Sequence, residues 1–107
     1  MSESESIAQE LQALAQELQL VRSQIQALSS QISEISITVE ALDTQDSNRP
    51  VYRAVGNLLL EVEDRDALRT ELEDSRNAFI EHSAKLEERE TSLVSQYEEL
   101  VKSFENR

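Results

Sequence analysis

The amino-acid sequence predicts a mostly α-helical chain, an antiparallel two-helix coiled coil with one β-hairpin at the bend. Three observations carry this expectation. A heptad seam runs unbroken from Ile7 to Leu42, a second and sparser seam runs from Leu72 to Leu100, and two short apolar runs flank Gly56-Asn57 between them. One Gly, one Pro and four aromatic residues in 107 are too few for the turns and core of a globular α/β or all-β domain.

The first seam consists of Ile7, Leu11, Leu14, Leu18, Val21, Ile25, Leu28, Ile32, Ile35, Val39 and Leu42, which step alternately by four and three. Ser6 with Gln9 fits a capping box at its start, so the first helix is expected over residues 7–42. The polar stretch from Asp43 to Pro50 ends it, because proline cannot continue a helix and biases Arg49 to extended geometry.

Val51 to Val55 and Leu58 to Val62 then read as two strands around a two-residue turn with glycine first. In that register Val55 faces Leu58, Arg53 faces Leu60 and Val51 faces Val62, leaving both faces largely apolar. A lone hairpin is marginal in water and its free edges invite further pairing, so residues 51–62 are expected to drive oligomerisation.

The acidic cluster Glu61, Glu63, Asp64 and Asp66 suits the start of a second helix over residues 65–104. Its seam is Leu72, Phe79, Leu86, Leu93 and Leu100. Set antiparallel to the first helix, these residues pair with Val39, Ile32, Ile25, Leu18 and Leu11, and every pair of position numbers totals 111. That constant puts the bend near residues 55 and 56, where the helices are independently broken. The alternate layers are Ile7/Phe104, Leu14/Tyr97, Val21/Glu90, Leu28/Ser83, Ile35/Arg76 and Leu42/Arg69, apolar at the open end and mixed elsewhere. Glu81 with Lys85 and Glu98 with Lys102 are spaced for modest support within the helix. The whole chain is expected to form one domain.

Charge and composition narrow the function. Acidic side chains outnumber basic ones 22 to 10, a net charge of −12 that repels a nucleic-acid backbone. There is no Cys and only one His, His82, so no metal site or thiol nucleophile is expected and His82 reads as a partly exposed helix residue. The carboxylates Glu87, Glu88 and Glu90 read as a solvated helix face. No glycine-rich phosphate loop or nucleophile elbow occurs, so neither enzyme chemistry nor a cofactor is expected. The acidic, polar start lacks the pattern of a signal or transit peptide, and no apolar run is long enough to span a membrane.

The order helix, hairpin, helix, with Val-Tyr-x-x-Val-Gly-x-Leu-Leu-Leu over residues 51–60 at the bend, resembles the β-class subunit of prefoldin, a cytosolic co-chaperone. The resemblance covers nearly the whole chain, and an α-class subunit would need a second hairpin. It implies a hetero-hexamer with α-class partners and further β-class copies. The hairpins would form a β-barrel platform from which the helical pairs project as tentacles that hold unfolded clients, without ATP, for a group II chaperonin in the cytoplasm.

Under that resemblance the assembly residues are Val51, Tyr52, Val55, Gly56, Leu58, Leu59 and Leu60. The client-holding residues are Ile7, Leu11, Leu14, Tyr97, Leu100, Val101 and Phe104. These also sit at heptad spacing and would pack as ordinary seam in a scaffold, and only their place at an open, fraying end favours client binding. Val94 widens the same apolar stripe. Glu98, Glu99 and Glu105 are the nearest carboxylates for steering onto a basic patch of a chaperonin. The alternative is a coiled-coil scaffold or tether that oligomerises through its hairpin.

Overall fold

The computed structural model describes residues 2–106. It contains helix α1 (Glu3–Thr44), strands β1 (Tyr52–Val55) and β2 (Leu58–Glu61), and helix α2 (Arg65–Glu105). At 1.5 Å per residue each helix is about 60 Å long.

The start of α1 corrects the expected cap. Ser2, not Ser6, is the N-cap, its Oγ accepting from the backbone N–H of Glu5 at 3.1 Å, and Ser6 lies inside the helix with its N–H bonded to the Ser2 carbonyl. Alternating serine and glutamate offer several cap frames, and the earliest one adds a turn whose Glu3 and Glu5 favour the positive helix end. Helix α2 is capped by Asp64, whose carboxylate accepts from the Ala67 N–H at 3.0 Å.

The chain divides into two compact units, residues 1–29 with 81–107, and residues 30–80. In the first, the buried residues are Ile7, Val21, Leu28 and Leu93, and Leu93 is wholly enclosed. Every other expected seam residue there is half-buried, apart from Phe104, which remains 43% exposed although its layer partner Ile7 is covered. Arg22 Nε lies 2.8 Å from Glu90 Oε2, and Arg89 Nη2 lies 2.5 Å from Glu17 Oε1. Neither Glu81/Lys85 nor Glu98/Lys102 is ion-paired among the described residues. His82 is exposed.

In the second unit Val39 is buried and Ile32, Ile35, Leu42, Leu72 and Phe79 are half-buried. The arginines that occupy the mixed layers reach polar residues of α1. Arg76 donates to Ser36 Oγ at 3.4 Å, and Arg69 donates to both carboxylate oxygens of Asp43 while pairing with Glu73 on its own helix. The i,i+4 pair that forms is therefore Arg69 with Glu73. Arg22/Glu90, Ser36/Arg76 and Asp43/Arg69 have position numbers totalling 112, one residue from the constant of the apolar layers. The antiparallel pairing inferred from the seams is thus present in each unit.

The connection from α1 to the hairpin is a small hydrogen-bonded knot. Asp46 accepts from the backbone N–H of Asn48 through its side chain at 2.9 Å and from that of Arg49 through its carbonyl at 3.0 Å. The Arg65 guanidinium, in the first turn of α2, donates to the carbonyls of Asp46 and Arg49. The loop is thereby tied to the start of the next helix.

Candidate functional site

The hairpin has the expected register, with Arg53 opposite Leu60 and Val55 opposite Leu58, and the Val62 N–H bonds the Val51 carbonyl at 2.8 Å. Gly56 has φ of +59° and no non-glycine residue among the described ones has positive φ, so the turn demands glycine at its first position alone, as a type II′ turn does. An added Cβ at Gly56 would meet no atom within 4 Å, so the requirement is one of backbone conformation, not space.

All eight strand residues are exposed, including Tyr52, Val55, Leu58, Leu59 and Leu60, and Leu59 is 73% exposed. Val51 is half-buried at the base. Alternation of the ladder turns the backbone groups of Arg53, Val55, Leu58 and Leu60 inward and leaves those of Tyr52 and Ala54 on one open edge and Leu59 and Glu61 on the other. Pro50 precedes β1 in the outward phase, where its missing N–H costs no ladder bond. Arg53 ties the hairpin to α2 through Glu71 at 3.4 Å. Beneath β1 lies a groove of about 490 Å³ whose apolar lining includes Ala41, Leu42, Val51, Ala54, Leu68 and Leu72. The structure therefore brings the seven assembly candidates onto one exposed, two-faced apolar element with two open edges.

The client candidates divide by exposure. Ile7 is buried, Leu11, Leu14, Tyr97, Leu100 and Val101 are half-buried, and Phe104 is exposed. Tyr97 also lines a notch of about 350 Å³ together with Ala15, Leu18, Gln19 and Arg22. The sequence reading did not select Ala15 or Leu18 for binding. The available signal was a small residue beside the seam, opposite a large aromatic one. Glu98, Glu99 and Glu105 are all exposed. Among the described residues no group of His, Cys, Asp and Glu could hold a metal ion, and no helix is long and apolar enough to cross a membrane.

A family model described as prefoldin subunit matches residues 5–107, which takes in both helices and the hairpin. The chain belongs to the prefoldin subunit family. It is similar to prefoldin subunit beta of Thermoplasma acidophilum, at 33% identity over 70 residues, a match covering 65% of this chain and 56% of that protein's length. The crystal structure of the prefoldin beta subunit from Thermococcus strain KS-1 superposes with a TM-score of 0.88 at 22% identity, covering 99% of this chain and 92% of that one. The prefoldin beta2 subunit of the same strain gives 0.74 at 27% identity, covering 86% and 97%. These three relatives are β subunits, and the two helices with a single hairpin between them match their fold.

Proposed function

We propose that this chain is a structural subunit of an ATP-independent chaperone, which joins other prefoldin subunits through its hairpin and holds non-native proteins at its open end for delivery to a group II chaperonin. Family membership supports a chaperone co-factor role in general terms and assembly with other prefoldin subunits. The observation that carries the reading is the hairpin. Four apolar residues from Val55 to Leu60 stand in water on a two-stranded element that is too small to be stable by itself, which is costly unless other chains cover it.

In the unit formed by residues 1–29 and 81–107, exposed Phe104 and half-buried Leu100 and Val101 offer apolar surface where helix ends fray. Several such ends around one assembly would hold many sequences weakly and gain from multivalency. Acidic Glu98, Glu99 and Glu105 would steer docking onto a basic chaperonin patch.

The test is co-expression with an α-class partner, followed by aggregation assays on a denatured model protein. The reading expects a mixed oligomer that suppresses aggregation, and a Leu100→Ser, Phe104→Ser double variant that keeps the oligomer but suppresses less. An oligomer that forms and leaves aggregation untouched would favour the scaffold.

A further inference from the structure

In the unit formed by residues 1–29 and 81–107, the two flanks of the helix seam differ. Labelling the heptads so that Leu11 and Leu18 are a, the buried residues Ile7, Val21 and Leu28 are all d, and Leu93 is d on α2, whereas the a residues Leu11, Leu18 and Ile25 are half-buried, as are the d residues Leu14, Leu86 and Leu100. On the d side Glu17 and Arg89, both g, meet at 2.5 Å. The notch beside Tyr97 lies on the a side.

The occupants of the a side follow a rule. The e residue of α1 sits beside an a residue of α2 whenever their numbers total 112. Arg22 with Glu90 obeys it as an ion pair at 2.8 Å. The next pair toward the chain ends is Ala15 with Tyr97, which share the notch, and the one after is Ala8 with Phe104, both exposed. Polar pairing thus gives way to a small residue facing an aromatic one. On α2 the e residues Val94 and Val101 add half-buried apolar surface to the same flank. The rim positions are neutral on α1, Gln12 and Gln19, and acidic on α2, Glu98 and Glu105, neither of which has an ion-pair partner among the described residues. Arg22, the one cation at the notch, is already neutralised by Glu90.

We infer that this flank is a shallow groove for an extended, unfolded segment whose apolar side chains are interspersed with lysine or arginine. The apolar side chains would enter beside Ala15 and Tyr97, and the cations would meet the Glu98 and Glu105 rim. Charge complementarity selects the occupant, since a segment rich in Asp and Glu would face two unpaired carboxylates in a chain of net charge −12. The inference rests on the chaperone reading and adds to it which unfolded segments are preferred and where they lie.

The test uses the assembled complex and two short fluorescent peptides with the same leucines, separated by lysine in one and glutamate in the other, followed by anisotropy. At low salt the lysine peptide binds about fivefold or more tightly than the glutamate peptide, as expected for two exposed charge pairs, and added salt narrows the gap. Glu98→Gln with Glu105→Gln abolishes the preference, and Ala15→Gln, which fills the notch without changing charge, weakens both peptides. Equal affinities, a preference that survives the double change, or binding indifferent to Ala15→Gln overturns the groove. If these occur while aggregation suppression persists, only the groove fails. If the wild-type complex neither binds the peptides nor suppresses aggregation, the chaperone reading fails with it.

Discussion

Arg69, in the second turn of α2, grips Asp43 in the last turn of α1, with Nε 2.7 Å from Oδ1 and Nη2 3.0 Å from Oδ2. Helix α1 has no basic residue in its last turn, so Asp43 stands at the negative end of a helix dipole and depends on a cation from elsewhere. Arg69 supplies it. The hydrogen bond from Arg69 is the largest influence on the Asp43 carboxyl and lowers its pKa below the ordinary 3.8, against a smaller opposing effect of desolvation. A lowered folded-state pKa means that the stabilisation is present in full above the unfolded value and is lost as pH falls through the folded one, below about 4. Arg69→Gln should return the Asp43 pKa to the ordinary carboxylate range, which a carbon-detected NMR titration of that carboxyl reads directly. An unchanged midpoint would show that the contact does not persist in solution.

The N-terminal cap separates two serines that look alike in sequence. Ser2→Ala should cost about 1 kcal/mol of local helix stability and speed amide exchange in the first turn, while Ser6→Ala, already inside α1, should leave exchange there nearly unchanged. Hydrogen exchange by mass spectrometry on N-terminal peptides decides between them.

Packing depth predicts unequal costs along the seam. Leu93 is fully enclosed, so Leu93→Ala should destabilise by about 3 kcal/mol in thermal or urea unfolding. Phe104→Ala removes a ring that is 43% exposed and should cost less than about 1 kcal/mol. Comparable losses at the two sites would mean that Phe104 is covered in the working oligomer.

At the hairpin, Leu58→Asp with Leu60→Asp should yield smaller species by light scattering while most helicity by circular dichroism remains. Gly56→Ala should act in the same direction more weakly, at about 1–2 kcal/mol per chain, through backbone strain alone, because a Cβ there meets nothing. Native mass after either change is the readout, and an unaltered oligomer after the double aspartate change would remove the hairpin from the assembly.

If acidic steering governs chaperonin docking, association should slow markedly from low to high salt, and Glu99→Gln together with Glu98→Gln and Glu105→Gln should flatten that dependence. Stopped-flow association measures both. Rates insensitive to salt would leave these carboxylates a role in solubility.

Much of the fold was legible because its determinants are local and periodic. Ile7 to Leu42 repeat at heptad spacing without a gap, Pro50 stops the helix, and Gly56 supplies the one positive φ that the turn requires. Register followed as well, since the two-residue turn at Gly56-Asn57 leaves little choice about which residue faces which. The cap was misread because Ser2, Ser4 and Ser6 present overlapping frames, and local pattern does not rank them. The mixed layers were visible as positions but not as interactions. That Arg69 turns to Asp43, and Arg76 to Ser36, depends on where a neighbouring helix places its e residues.

The sequence by itself determined two amphipathic helices, an apolar two-residue-turn hairpin, the antiparallel pairing and the acidic surface, because each is set by spacing along one chain. Only the tertiary structure decided how deeply each seam residue is covered and which flanking side chains meet. Ile7, Val21, Leu28 and Leu93, all d, are buried, while Leu14, also d, stays half-buried with the a residues Leu11 and Leu18. Heptad spacing treats a and d alike as apolar, and it is the flanking side chains brought across by the second helix, Arg89 onto Glu17 on the d side and Glu90 onto Arg22 on the a side, that bridge the helices and leave a notch where Tyr97 stands beside Ala15.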